Sequence, residues 1–157
     1  MGFKVLCIDH IGIGVRDLTA IKSLFQGTFG IQPLPEDEVV APQKVKVSFF
    51  PLGPAGELEF LESTTEDGPI GKFMATQKED AAVAIQHVAL RVDDIGAALA
   101  ELKAKGIRLI DEKPRYGAAG SAIAFLHPKA TPGLLVEICE RAPHKYKFDP
   151  VTKALIE

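Results

Sequence analysis

IDHIGIGVRDL at residues 8–18 and IQHVALRVDDI at residues 85–95 read as two versions of one segment, offset by 77 positions. Ile8/Ile85, His10/His87, Val15/Val92 and Asp17/Asp94 are identical, while Ile11/Val88, Ile13/Leu90 and Leu18/Ile95 are conservative. The match continues through Gly30-Ile31 against Gly106-Ile107 and Phe49 against Phe125. It closes on LEFL (58–61) against VEIC (136–139), which aligns Glu59 with Glu137. The offset drifts from 77 to 76 to 78 between elements, where loops absorb length. A period this long is a duplicated half rather than a solenoid unit.

Each copy predicts the same run of elements. Residues 4–15 alternate, with Ile11, Ile13 and Val15 on one face and His10, Gly12 and Gly14 on the other, the period of a strand. Asp17 is placed to cap a helix over 18–28, with Ile21, Leu24 and Phe25 along one stripe and Gly30 past its end. Strands are predicted at 31–35, 44–51 and 57–62. In the second half, strand 84–92 precedes a helix at 95–105 stopped by Gly106, then strands near 107–111, 121–126 and 134–139. The connector 63–82 is polar, with a short helix after Pro69, and the charged tail from Arg141 is given no regular structure. The expected fold is α+β: two tandem β-α-β-β-β modules forming one curved mixed sheet, a half-barrel around a cavity. The domain organisation is a single domain over 1–157, with module one at 4–63, a linker at 64–83, module two at 84–140 and a tail at 141–157.

Composition narrows the function classes. The 157 residues are 46% hydrophobic and 25% charged, ordinary for a chain with one well-buried core. Eighteen Lys and Arg against 21 Asp and Glu give −3, so no basic surface points to nucleic acid or an anionic membrane. No apolar run approaches the roughly 20 residues of a membrane span. Asp9 and His10 interrupt the stretch a signal peptide would need, and Cys7 and Cys139 build no disulfide framework. A soluble, cytoplasmic protein is expected.

The histidines of the first strands and the glutamates of the fourth strands recur at equivalent positions. A glutamate between Leu58 and Phe60, or between Val136 and Ile138, is a candidate to face inward. Burying such a carboxylate costs several kcal/mol unless a cation or strong hydrogen bonds compensate. Singly, a strand histidine is usually structural and a strand glutamate usually faces water. As a matched quartet, His10, Glu59, His87 and Glu137 offer two imidazoles and two carboxylates, an N/O set suited to a divalent first-row metal with open positions for substrate. His127, in FLHPK, reads as a turn residue, and His144 lies in the charged tail. Gly12-Ile13-Gly14 lacks the third glycine of a dinucleotide fingerprint, and there is no phosphate-loop, H-E-x-x-H or G-x-S-x-G motif. The loop RYGAAGS (115–121) is a candidate anion cradle but equally an ordinary turn; Lys44, Lys46, Arg115 and Lys129 read better as solvated surface than as phosphate contacts.

These residues carry a resemblance. The paired halves resemble the vicinal oxygen chelate (glyoxalase/bleomycin resistance/dioxygenase) superfamily, and within it the methylmalonyl-CoA epimerase family. The matching strings are 8–18 and 85–95 together with DGPIGKF (67–73), EKPRYGAAGSAIAFLHPK (112–129) and GLLVEI (133–138). The resemblance maps the family's metal positions onto His10, Glu59, His87 and Glu137. It implies metal-dependent interconversion of the 2R and 2S forms of methylmalonyl-CoA, with cobalt expected ahead of zinc, manganese or nickel. It also implies an acyl-CoA substrate and a homodimer. Glu137 is then one acid/base, and Glu59 doubles as ligand and candidate proton partner. A glyoxalase I-type lyase is the first alternative, because the same quartet serves it, and a non-catalytic small-molecule binding protein is the second. The chain departs from the family in two places. TAIKSLFQGTFG (19–30) lacks the aromatic pair common in relatives, and Val47 stands where at least one member carries an acid/base glutamate.

Overall fold

The computed structural model describes residues 2–157. In chain order the elements are strand β1 (Val5–Val15), helix α1 (Leu18–Phe29), β2 (Glu38–Val40), β3 (Val45–Leu52), β4 (Gly56–Ser63) and α2 (Pro69–Ala75). Then follow β5 (Val83–Val92), α3 (Ile95–Ala104), β6 (Arg115–Tyr116), β7 (Ala122–Phe125), β8 (Val136–Glu140), β9 (Lys147–Phe148) and β10 (Leu155–Ile156). The chain forms two compact units, His10–Gln86 and, around the rest, residues up to Asp9 with His87–Glu157. Among the described residues no helix is long and apolar enough to cross a membrane.

In the unit His10–Gln86 the strand order is β2-β3-β4-β1. β1 runs parallel to β4, whereas β3 is antiparallel to both β2 and β4. One face of this mixed sheet is apolar: Val15, Phe50 and Phe60, with Ile13 and Leu58, pack against Leu18, Ile21 and Phe25 of α1. In the other unit the order is β5-β8-β7-β6, with β5 parallel to β8. There Val92, Ala122, Ala124 and Ile138 pack against Ile95, Ala98 and Leu99 of α3. Because strand residues alternate between faces, each apolar set forces its neighbours to the opposite side.

The duplication extends to the helix starts. The Asp17 carboxylate accepts from the Ala20 N–H at 3.0 Å, and Asp94 accepts from the Ala97 N–H at 2.9 Å. Each helix has a second acceptor on the fourth strand of its own unit. Glu62 takes the Leu18 N–H at 2.7 Å, and Glu140 takes the Ile95 N–H at 2.8 Å. Every such bond satisfies an amide that a helix start leaves without an intrahelical partner. Replacing Asp94 by Ala is expected to cost about 1 kcal/mol, read as a lower urea midpoint with unchanged slope.

Three sequence expectations are corrected. Residues 31–35 are not a strand: Pro33 and Pro35 have no N–H to donate, so only the Leu34 N–H reaches the Phe49 carbonyl (2.8 Å), and β2 begins later. Residues 107–111 form only the isolated bridge Leu109–Leu126, because the Asp111 carboxylate takes the Phe125 N–H (2.9 Å) that a ladder would use. The tail is ordered. β9 and β10 pair across a turn in which Asp149 accepts from the Val151 and Thr152 amides, and Tyr146 and Phe148 pack onto the core under α3. The helix expected after Pro69 is α2, whose Ile70 and Met74 are buried. It lies close to β1: a Cβ at Gly14 would stand 2.8 Å from the Met74 sulfur.

Candidate metal centre

β1 and β4 fix the first pair of site residues. Their parallel register sets Gly12 beside Glu59 and His10 beside Glu57. Since Leu58 and Phe60 are held on the α1 face, Glu59 points to the opposite face, as do His10, Gly12 and Gly14. There the His10 Nε2 lies 3.3 Å from the Glu59 Oε2, and both residues are buried.

β5 and β8 repeat this arrangement in the other unit. Ala89 is paired with Glu137 as Gly12 is with Glu59, and His87 lies two residues before Ala89 as His10 does before Gly12. The His87 Nε2 is again 3.3 Å from its glutamate, at Glu137 Oε2, and both are buried. The third strand of each unit flanks its glutamate with an aromatic residue. Phe49 is in register with Glu59 and Phe125 with Glu137; the Phe125 ring meets the His87 imidazole edge-on, with centroids 5.3 Å apart. The four sequence candidates thus occur as two buried His–Glu pairs related by register, each on an N/O donor set that suits a divalent cation.

The remaining candidates are placed differently. His127 shapes a turn, its Nδ1 accepting the Lys129 N–H at 3.1 Å. Desolvation and the charges of Arg108 and Lys129 lower its pKa. His144 is bonded to the Gly120 carbonyl at 2.8 Å and stacks with Tyr146 and Phe148. In RYGAAGS the Gly117 and Gly120 amides are already donated to Ser121 and Gly117 carbonyls within the loop. Lys44 is paired with Asp67 at 2.5 Å and Lys46 with Asp37 at 3.9 Å, and the Arg115 guanidinium lies over the Phe125 ring.

Sequence reasoning passed over two features. The first is Asp9, fully buried, whose carboxylate accepts from Arg91 Nε at 2.7 Å and from Arg141 Nε and Nη2 at 2.8 and 2.7 Å. Its signal was a carboxylate inside an apolar strand, directly before His10. Burial, with the charges of Asp9 and Glu137, pushes the neighbouring Cys139 thiol far up, so it stays protonated and unreactive. The second is Glu38 on β2. Val47 is buried and has no group to carry a proton, and its partner across the ladder is Glu38.

Residues 9–125 match the model of the Glyoxalase/Bleomycin resistance protein/Dioxygenase superfamily. The ethylmalonyl-CoA/methylmalonyl-CoA epimerase of Cereibacter sphaeroides is 35% identical over 133 residues, covering 83% of this chain and 95% of that protein. Among solved structures, the methylmalonyl-CoA epimerase of Mycobacterium tuberculosis superposes with a TM-score of 0.82 at 31% identity, over 88% of this chain and 90% of its own. A methylmalonyl-CoA epimerase in complex with methylmalonyl-CoA and NH4+ gives 0.82 at 34%, over 89% and 97%. The chain belongs to the glyoxalase/bleomycin resistance/dioxygenase superfamily and, within it, to the methylmalonyl-CoA epimerases, and has their α+β fold.

Proposed function

We propose that this chain is an isomerase that interconverts the 2R and 2S forms of methylmalonyl-CoA, as one domain of two modules, 4–63 and 84–140, with a divalent metal held by His10, Glu59, His87 and Glu137. The observation that carries the reading is the duplicated His–Glu pair, buried in both units at the same register, in a chain whose relatives are epimerases of this substrate. Cobalt is the proposed ion, ahead of zinc, manganese or nickel; a cytoplasmic homodimer completes the reading, and the exposed Val5, Leu6 and Ile8 of β1 offer it apolar surface.

The reaction requires removing a weakly acidic proton from the carbon between a thioester and a carboxylate, and returning one to the opposite face. A bound divalent cation supplies Lewis-acid stabilisation of the oxyanion charge that develops, worth several kcal/mol. Glu137 is the acid/base on one side. It is buried beside the apolar Phe125 and within 3.3 Å of the His87 imidazole. Glu59 serves as ligand and as a candidate proton partner. His10 and His87 orient these carboxylates across 3.3 Å contacts.

The experiment is α-proton exchange of methylmalonyl-CoA in D₂O, comparing metal-loaded and chelator-stripped protein. Metal-loaded protein is expected to exchange the proton and invert the centre, and stripping is expected to bring both close to the spontaneous rate until metal is restored. Exchange that survives stripping would remove the metal from the reading. Turnover of a hemithioacetal, with none of methylmalonyl-CoA, would transfer the site to a glyoxalase I-type reaction.

A further inference from the structure

A methylmalonyl group brings a carboxylate of its own, bonded to the carbon that gives up its proton to Glu137. Two like charges so close repel each other, so a compensating cation is sought on the Glu137 face of the unit that carries it. The ladder registers define that face. It holds His87, Ala89 and Arg91 of β5; Glu137 and Cys139 of β8, with Arg141 just past its end; Ile123 and Phe125 of β7; and Arg115 of β6. Its permanent cations are therefore three arginines.

The three are not equivalent. Arg91 and Arg141 both donate to Asp9, at 2.7–2.8 Å. Arg115 is held from one edge. Its Nε is buried 3.3 Å from the Asp111 Oδ2, and that same oxygen accepts the Phe125 N–H at 2.9 Å. Asp111 thus anchors the guanidinium to the backbone of the residue whose ring it covers, with the Arg115 Cζ 5.3 Å from the Phe125 centroid. A guanidinium on an aromatic face keeps its charge and its planar fork of donors. Among the described residues none accepts a hydrogen bond from its Nη atoms, and the side chain keeps 43% exposure.

Phe125 sets the reach of this fork. Phe125 is the ladder partner of Glu137, and its ring meets the His87 imidazole with centroids 5.3 Å apart. Arg115 is therefore one ring away from both site residues of its unit. The methylmalonyl carboxylate lies a single bond from the carbon that meets Glu137, whereas the phosphates of coenzyme A are a whole pantetheine arm further off. The carboxylate is the oxyanion that fits this distance.

We propose that Arg115 binds the free carboxylate of the methylmalonyl group and makes the site select a carboxylated acyl thioester over a neutral one, an inference that rests on the epimerase reading above. A forked guanidinium–carboxylate pair fixes orientation as well as charge. It holds the carboxylate on the Phe125 side, presents the α-carbon to Glu137, and offsets the repulsion between the two carboxylates. A thioester with hydrogen in place of the carboxylate gains nothing from Arg115.

The test compares binding by metal-loaded wild type and R115M, which keeps an apolar stem against Phe125. Three ligands separate the two kinds of oxyanion. Methylmalonyl-CoA carries carboxylate and phosphates, propionyl-CoA only phosphates, and methylmalonyl-N-acetylcysteamine only the carboxylate. R115M is expected to bind both carboxylated ligands about thirtyfold more weakly than wild type, the loss that one charged hydrogen-bonded contact gives, and propionyl-CoA equally well. The KM for methylmalonyl-CoA should rise with its dissociation constant. Weakening of both CoA esters, with none for the N-acetylcysteamine ester, would move Arg115 to the phosphates and overturn the assignment. Unchanged binding of all three would also overturn it, as would a parallel loss of all three in protein that urea titration shows to be folded. If R115M does not fold, R115K, a cation without the fork, carries the test: weakening confined to the carboxylated ligands supports the proposal, and unchanged affinity overturns it. The wild type is the control for the reading beneath. If it neither exchanges nor inverts methylmalonyl-CoA, the epimerase reading fails, whereas its normal turnover leaves only Arg115 in question.

Discussion

Glu137→Gln is expected to reduce inversion of methylmalonyl-CoA by about a thousandfold, within the 10²–10⁴ that a general base contributes, or about 4 kcal/mol of transition-state stabilisation. The substitution preserves shape. A glutamine at 137 keeps an oxygen that can face His87 across the present 3.3 Å contact and a cation beyond it, but it cannot accept a proton from carbon. Activity is therefore to be read with metal content, at saturating metal. Loss of inversion in protein that holds its full complement of metal assigns proton transfer to Glu137. Recovery of activity as metal is raised would assign it ligation alone. Deuterium wash-in supplies a second axis. The epimer whose α-proton Glu137 removes should lose exchange together with inversion. Near-normal inversion removes Glu137 from the mechanism.

The candidate site was more legible in the sequence than the strands around it, for a physical reason. Ligand-type residues inside apolar runs are few, so a repeat that aligns His10 with His87 and Glu59 with Glu137 singles them out, and the face of each follows from the alternation of Leu58, Phe60, Val136 and Ile138. The caps were equally visible, because Asp17 and Asp94 each stand immediately before an amphipathic run. What escaped were features set by partners distant in sequence. Glu62 and Glu140 look like surface carboxylates until the register shows them against the first turns of α1 and α3. Residues 31–35 looked like a strand by apolar content, yet two prolines remove the donors. The tail hid in its charge; its ordering depends on Tyr146 and Phe148 finding the core under α3.

Asp9→Ala is expected to destabilise the protein by about 3 kcal/mol, the lower end of what breaking a buried ion pair costs. Asp9 is fully buried and takes three charge-assisted hydrogen bonds, one from Arg91 and a bidentate pair from the Nε and Nη2 of Arg141, at 2.7–2.8 Å. Removing the carboxylate leaves two guanidiniums facing each other across an empty acceptor. Their side chains keep 25% and 29% exposure, so water can partly solvate them, which holds the cost near 3 rather than 5 kcal/mol. The effect should also reach the site. Asp9 is bonded to His10, Arg91 follows His87 and Ala89 on one face of β5, and Arg141 continues the alternation of Glu137 and Cys139 along β8. The triad therefore fixes the backbone at Asp9, the residue before His10, against Arg91 of β5 and Arg141 just past β8. Urea titration reads the stability loss, and metal titration of the folded variant reads the second effect, expected as a weaker metal affinity. Asp9→Asn separates charge from volume: it fills the same space and leaves both arginines without a counter-ion, so it should lose nearly as much as Asp9→Ala. Were Asn to restore wild-type stability, packing rather than the ion triad would account for the burial of Asp9. A triple replacement by apolar residues, Asp9→Leu with Arg91→Met and Arg141→Met, should recover most of the stability, because it removes the desolvation cost together with the attraction. If the triple variant is stable but binds metal as weakly as Asp9→Ala, the triad's contribution to the site is orientation of the strands and not the strength of the fold.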